Sequence, residues 1–142
     1  RGKELENDAL GAFERLSGKK VKGGCGVWVS DVNESIALSP DGEIGKNEAL
    51  EIKCLSSSRH LQAYFEKKIP SEYEDQTIQY FIVNEKLKTL YVAFYDPRIA
   101  VLPMHFITLN REDYEEKIEY NRDYQIQSLK EINRLINELN SF

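Results

Sequence analysis

The stretch Ser39–Lys53, SPDGEIGKNEALEIK, decides how the rest of the chain is read. Pro40-Asp41-Gly42 has turn chemistry: Pro40 fixes φ and Gly42 supplies conformational freedom. Leu50, Glu51, Ile52 and Lys53 then alternate apolar and charged, the period of a strand, in which residues two apart share a face. Glu51 and Lys53 should therefore project together, while Leu50 and Ile52 point the other way, into a core. An acid and a lysine on one face, with Asp41 delivered by a nearby turn, describe a metal site with a cation beside it.

Working outward, 142 residues suit one domain with a real core, and 41% hydrophobic with 30% charged is ordinary for a globular chain. No apolar run approaches the roughly 20 residues of a membrane span. No signal peptide is read, and a cytoplasmic setting is expected. The chain begins at Arg1 rather than methionine, which fits a trimmed or truncated piece. Cys25 and Cys54 match no metal-ligand spacing and are expected as buried thiols in strands. A net charge of −5 argues against a broad nucleic-acid-coating surface but leaves room for a local basic groove. Lys19, Lys20 and Lys22 form one basic cluster, Lys67 and Lys68 another, and Arg59 stands alone.

The spacing of Leu5, Ala9, Leu10, Phe13 and Leu16 predicts a helix over 3–16, with Glu6 beside its apolar stripe. Strands are expected around 27–29 and 35–38, and a hairpin-like connection over 45–47 leads into the Glu51 strand. The polar Ser56-Ser57-Ser58-Arg59-His60 run reads as a break before a helix over 61–67 that Pro70 ends. Ser71, with Glu74 three residues on, matches a capping box for a helix to about 84. Strands over 89–95 and 104–109 follow, and Asn110 and Asp113 are placed to cap a last helix to about 140. This order gives a mixed α/β fold: a central sheet flanked by helices.

Five ordered blocks carry a resemblance. Arg1-Gly2-x-Glu4-Leu5-Glu6-Asn7-Asp8-Ala9, Ser39-Pro40-Asp41-Gly42, Leu50-Glu51-Ile52-Lys53, Tyr73-x-x-Gln76-x-x-x-Tyr80 and Tyr95-Asp96-Pro97-Arg98 together resemble the lambda-exonuclease-like, YqaJ-type branch of the PD-(D/E)XK nucleases. The resemblance implies a restriction-endonuclease-like core over 1–142 as a single nuclease domain. The resemblance also implies that relatives usually carry an additional N-terminal region that grips DNA, and that region is expected to be missing here. Relatives with an iron–sulfur cluster hold it with four cysteines, and this chain has two.

The resemblance further implies a Mg²⁺-dependent DNA nuclease, Mn²⁺ substituting, that hydrolyses phosphodiester bonds from duplex ends in recombination or repair. An endonuclease of the same fold and a catalytically weak nucleic-acid-binding relative are the competing readings. Asp41 and Glu51 would be metal ligands with the Ile52 carbonyl as a third oxygen, and Glu6 would complete the site directly or through water. Lys53 would orient the attacking hydroxide, and Gln76 would hold the nucleotide or a water at the metal. Ser57, Arg59 and Tyr80 are candidate DNA contacts; for Ser57 and Arg59 a capped loop is an equal reading. His60 and His105 are read as structural, and Asp96 and Arg98 as a pair across a turn.

In the last helix Ile118, Leu129, Ile132, Ile136 and Leu139 recur at three- and four-residue steps, interrupted above by Arg122 and Gln125. We expect this stripe to pack on its own sheet. Leu135 and Phe142 widen it, leaving room for a subunit contact. The resemblance adds a trimeric ring around DNA and a single-strand-annealing partner protein.

Overall fold

The computed structural model describes residues 2–141, with side chains from 4 to 141. Arg1 of the first sequence block and Phe142, read as widening the apolar stripe, lie outside the described residues. Helices α1 (Gly2–Ser17), α2 (Ser57–Glu66), α3 (Glu74–Val83) and α4 (Glu115–Asn140) surround strands β1 (Trp28–Val29), β2 (Ala37–Leu38), β3 (Gly42–Ile44), β4 (Glu48–Lys53), β5 (Thr89–Tyr95) and β6 (Met104–Asn110). Strands β3-β4-β5-β6 form one mixed sheet in that order, with only β4 and β5 parallel. Strands β1 and β2 make a separate antiparallel ribbon, Trp28 opposite Leu38. The expected central sheet flanked by helices is therefore the observed fold.

Alternation along the strands divides the core. On β5, Leu90, Val92 and Phe94 join Ile78, Tyr80, Phe81 and Val83 of α3. Tyr91, Ala93 and Tyr95 face the other way, with Ala9, Ala12 and Phe13 of α1. The same period on β4 sends Leu50 and Ile52 toward α1. Ala49 lies on the α3 side, and Glu51 and Lys53 share its parity. A strand buried on both faces, as β5 is, reads as a nearly continuous apolar run because helices cover both sides.

Several expectations are corrected. Gly42 is not a flexible turn residue: it opens β3, opposite Leu50, and has no positive φ. Its missing side chain matters because a Cβ there would come within 2.3 Å of Val21 Cγ1. The positive φ belongs to Gly45, at +60°, in the β3–β4 connection. Because valine is stiff at χ1, Gly42→Ala should cost about 1–3 kcal/mol. A thermal melt checks this, and an unchanged Tm would show that the Val21 segment yields freely.

Helix α2 starts at Ser57, so the serine run is its first turn rather than a break. Ser71–Tyr73 is a 3-10 turn, and neither Ser71 nor Asn110 nor Asp113 provides a side-chain cap to the helices that follow. Asn110 instead accepts a hydrogen bond from Thr89 across the β5–β6 pair. Cys25 is half-buried and Cys54 exposed, both outside strands. The α4 stripe departs most from expectation. Ile118 is buried and Leu129 packs on the core, but Ile132, Leu135, Ile136 and Leu139 are about half or more exposed. Gln125, which interrupts the stripe, exchanges two amide hydrogen bonds with Gln79 of α3, 3.1 and 2.6 Å. Among the described residues no helix is long and apolar enough to cross a membrane.

Candidate active site

The site lies where β4 meets the start of β3 and the exposed flank of α3. Continuing the β3–β4 register would set Ile52 opposite Pro40, one residue beyond Asp41. The Ile52 N–H goes instead to Asp41 Oδ2, 2.7 Å away. That bond fixes a half-buried carboxylate at the end of the strand pair.

Glu51 is 6% exposed. Its Oε1 accepts the hydroxyl of Tyr80, and its Oε2 accepts Gln76 Nε2 at 3.3 Å and stands 3.2 Å from Lys53 Nζ. The Gln76 amide oxygen takes a further hydrogen bond from Lys53 Nζ, so one amide links lysine to carboxylate. Burial, and then the negative charge of Asp41, push the Glu51 carboxyl above its ordinary value, against the pull of Tyr80 and Lys53. Burial and the Glu51 charge likewise push the Tyr80 phenol up, which keeps it a neutral donor. Tyr80 is itself held edge-on by Trp28, ring centroids 5.9 Å apart, and Trp28 Nε1 donates to Glu43 Oε1 at 2.6 Å.

Asp41, Glu51, Lys53 and Gln76 thus come together as the sequence places them. Tyr80 joins them in a different capacity: at 1% exposed, with its hydroxyl committed to Glu51, it offers no surface to DNA. Glu6 is half-buried on α1, and no side chain among the described residues is hydrogen-bonded or ion-paired to it. Nor is there, among the described residues, any cluster of three or more acids, histidines or cysteines able to hold a metal. Glu6 is thus not joined to Asp41 and Glu51 in one such cluster among the described residues.

Arg59 is not isolated, since it pairs with Glu72 at the exposed start of the 3-10 turn. Ser57 donates to Asp96 Oδ2 at 2.6 Å. Asp96, 2% exposed, also accepts Arg98 Nε and the Arg98 backbone N–H, the pairing read from the turn. Those Arg98 bonds, reinforced by Ser57, hold the Asp96 carboxyl down to about 2, below an ordinary aspartate value of 3.8. A depressed folded value means stability that is complete above about pH 4 and lost as pH falls toward 2. Asp96→Asn should remove that part of the acid sensitivity, giving a shallower loss of stability between pH 4 and 2 in acid titrations followed by circular dichroism. An unchanged slope would contradict the pairing. His60 and His105 are buried away from the site: His60 Nε2 donates to the Leu102 carbonyl and His105 Nε2 to the His60 carbonyl, both 2.9 Å. Burial lowers the His105 value, so it stays neutral and structural.

The sequence pattern of the YqaJ-like viral recombinase domain matches residues 1–87 of the chain. The chain belongs to the YqaJ-like viral recombinase domain family. Asp41, Glu51, Lys53, Gln76 and Tyr80 all fall inside that match. No curated protein matches significantly. Among solved structures, the YqaJ-like chain is similar to the alkaline exonuclease LHK-Exo from Laribacter hongkongensis, at 22% identity and a TM-score of 0.80 over 98% of this chain and 72% of that one. LHK-Exo in complex with dAMP gives 21% identity and a TM-score of 0.78 over the same shares. The YqaJ-like chain thus has an alkaline-exonuclease fold, which bears out the mixed sheet and the family resemblance.

Two contributions were not read from the sequence. Tyr80 acts on Glu51 rather than on nucleic acid, and the Tyr73 ring lies against Lys53 Nζ, 4.2 Å from ring centre to nitrogen. Spacings of three and four residues around Gln76 were the available signal, since they put Tyr73, Gln76 and Tyr80 on one helical face.

Proposed function

We propose that this YqaJ-like domain is a Mg²⁺-dependent deoxyribonuclease that hydrolyses phosphodiester bonds from the ends of duplex DNA. The observation that carries the reading is the buried Glu51 carboxylate beside Asp41, tied through Gln76 to Lys53. A buried carboxylate whose ionised form is disfavoured by burial and by a second acid is a site that a divalent cation would relieve. Two carboxylates suit Mg²⁺, which keeps several waters and needs only one or two protein acids. Asp41 and Glu51 would hold it, with the Ile52 carbonyl as a further oxygen. When bound, Mg²⁺ or Mn²⁺ supplies neutralisation of phosphate charge and a more acidic water.

The chain's own residues do the rest. Lys53 presents its remaining ammonium hydrogen to the attacking oxygen, and Gln76 helps orient that ammonium. Tyr80 fixes the Glu51 carboxylate in one rotamer, so that the site is preorganised. The Arg59–Glu72 pair is exposed and worth at most about 1 kcal/mol, so a DNA phosphate can take Arg59 from Glu72. Ser57 lies beside it in the first turn of α2.

The reading is tested on linear duplex and closed circular DNA, with Mg²⁺ and with EDTA. Degradation of the linear duplex only, and only with metal, is expected. Cutting of the circle would favour an endonuclease of the same fold, and no cleavage with either Mg²⁺ or Mn²⁺ would overturn the enzyme. Self-assembly belongs to the same reading, because Ile132, Leu135, Ile136 and Leu139 leave an apolar face on α4 uncovered. Light scattering should show a mass above that of the monomer that rises with concentration, and a monomer throughout would rule out a ring for this chain.

A further inference from the structure

We infer that the Tyr73 ring is the rigid seat that positions the Lys53 ammonium. The inference rests on the proposed role of Lys53 and deepens it. A lysine side chain has four rotatable bonds and loses much rotamer freedom when held in one place, so a fixed ammonium needs rigid partners. Among the described residues Lys53 Nζ has three partners. Glu51 is buried and fixed by Tyr80. Gln76 orients the ammonium by one hydrogen bond but is long and exposed, so it is not a rigid wall by itself.

The third partner is Tyr73. It closes the 3-10 turn Ser71–Tyr73, where its backbone N–H is bonded to the Pro70 carbonyl at 2.9 Å, and it is half-buried against the α3-side core. Its ring centre is 4.2 Å from Lys53 Nζ, within cation–π range, and 5.9 Å from the Arg59 guanidinium carbon. An aromatic face attracts the cation without taking one of its hydrogens. The ring can therefore hold the ammonium while leaving its N–H groups for Gln76, Glu51 and a substrate. Arg59, tied to Glu72 next to Tyr73, closes the outer side of the same turn. Tyr73 is thus a positioning residue for Lys53, and it links the first turn of α2 to the end of β4.

The test compares Tyr73→Phe, Tyr73→Leu and Tyr73→Met, with Lys53→Ala as a control. A cation–π contact of this kind predicts that Tyr73→Leu and Tyr73→Met lower kcat roughly 3- to 30-fold with KM for DNA little changed, while Tyr73→Phe stays within about two-fold of wild type. The second readout does not depend on catalysis. After reductive ¹³C-methylation of lysines, which keeps their charge, the Lys53 resonance is identified by its loss in Lys53→Arg. It should be shifted upfield by the ring in wild type and Tyr73→Phe, and return to the ordinary lysine position in Tyr73→Leu and Tyr73→Met. A rise in KM alone would assign the ring to Arg59 and overturn the inference, as would an unshifted Lys53 signal in the wild type or a Tyr73→Phe as impaired as Tyr73→Leu. If Lys53→Ala cleaves at the wild-type rate, the nuclease reading of the site fails. If Lys53→Ala is inactive but Tyr73→Leu and Tyr73→Met are not impaired, only the role of Tyr73 fails.

Discussion

Asp41→Asn should abolish DNA cleavage while making the metal-free protein slightly more stable at neutral pH. Loss of a metal-holding carboxylate removes several kcal/mol of transition-state stabilisation, about a thousand-fold or more in rate. The fold should survive, because an asparagine amide oxygen can still accept the Ile52 N–H that Asp41 Oδ2 accepts at 2.7 Å. What disappears is the negative charge that, after burial, does most to push the Glu51 carboxyl up. A carboxyl with a raised folded value prefers its proton in the native state. Its penalty is therefore absent below the unfolded value and grows as pH rises through the folded one. At neutral pH the wild type carries this repulsion and Asp41→Asn does not. Calorimetry in EDTA should show a Tm higher by roughly 3 °C at neutral pH, converging with wild type as the pH falls below the ordinary carboxylate range. A variant that still cleaves at near wild-type rate would show that Asp41 is not a ligand. An inactive variant with a clearly lowered Tm would show that the carboxylate is structural.

What the sequence could show of this site follows from how local each determinant is. The pairing of Glu51 with Lys53, and the opposite facing of Leu50 and Ile52, depend only on strand periodicity, and both were legible. The sheet flanked by helices followed from the order of periodic segments. The role of Tyr80 was not legible, because its phenol meets an acid 29 positions away, and a tyrosine on a helix reads equally as core or as ligand contact. Gly42 misled for the opposite reason. A Pro-Asp-Gly sequence looks like a turn, and only the approach of Val21 shows that the glycine serves clearance in a strand. The α4 stripe misled because periodicity shows that a face is apolar but not what covers it. Ile118 and Leu129 meet the core, and the last turns run past it. Glu6 depended on a motif at the far end of the chain, and the fold leaves it without a polar partner among the described residues.

Lys53 offers the second large effect, and it separates catalysis from metal binding. Lys53→Ala should lower kcat by about a hundred-fold or more, since an ammonium aimed at developing charge in a sheltered site is worth several kcal/mol. Mg²⁺ binding should persist in titration calorimetry, because lysine donates hydrogens and has no lone pair to offer when charged. The same change takes the adjacent cation from a carboxylate that is 8% exposed at its side chain. Breaking one partner out of a buried pair destabilises by roughly 3–5 kcal/mol, less here because Tyr80 and Gln76 still bond Glu51. The metal-free variant should therefore melt well below wild type. Added Mg²⁺ should raise its Tm by more than it raises that of wild type, since the cation then supplies the charge that Lys53 no longer does. Lys53→Arg should keep most of the stability but little of the activity, because a planar guanidinium cannot occupy the place of a compact ammonium between Gln76, Glu51 and the Tyr73 ring. Loss of Mg²⁺ binding in a folded Lys53→Ala protein would contradict this division of roles, and so would an arginine variant as active as the wild type.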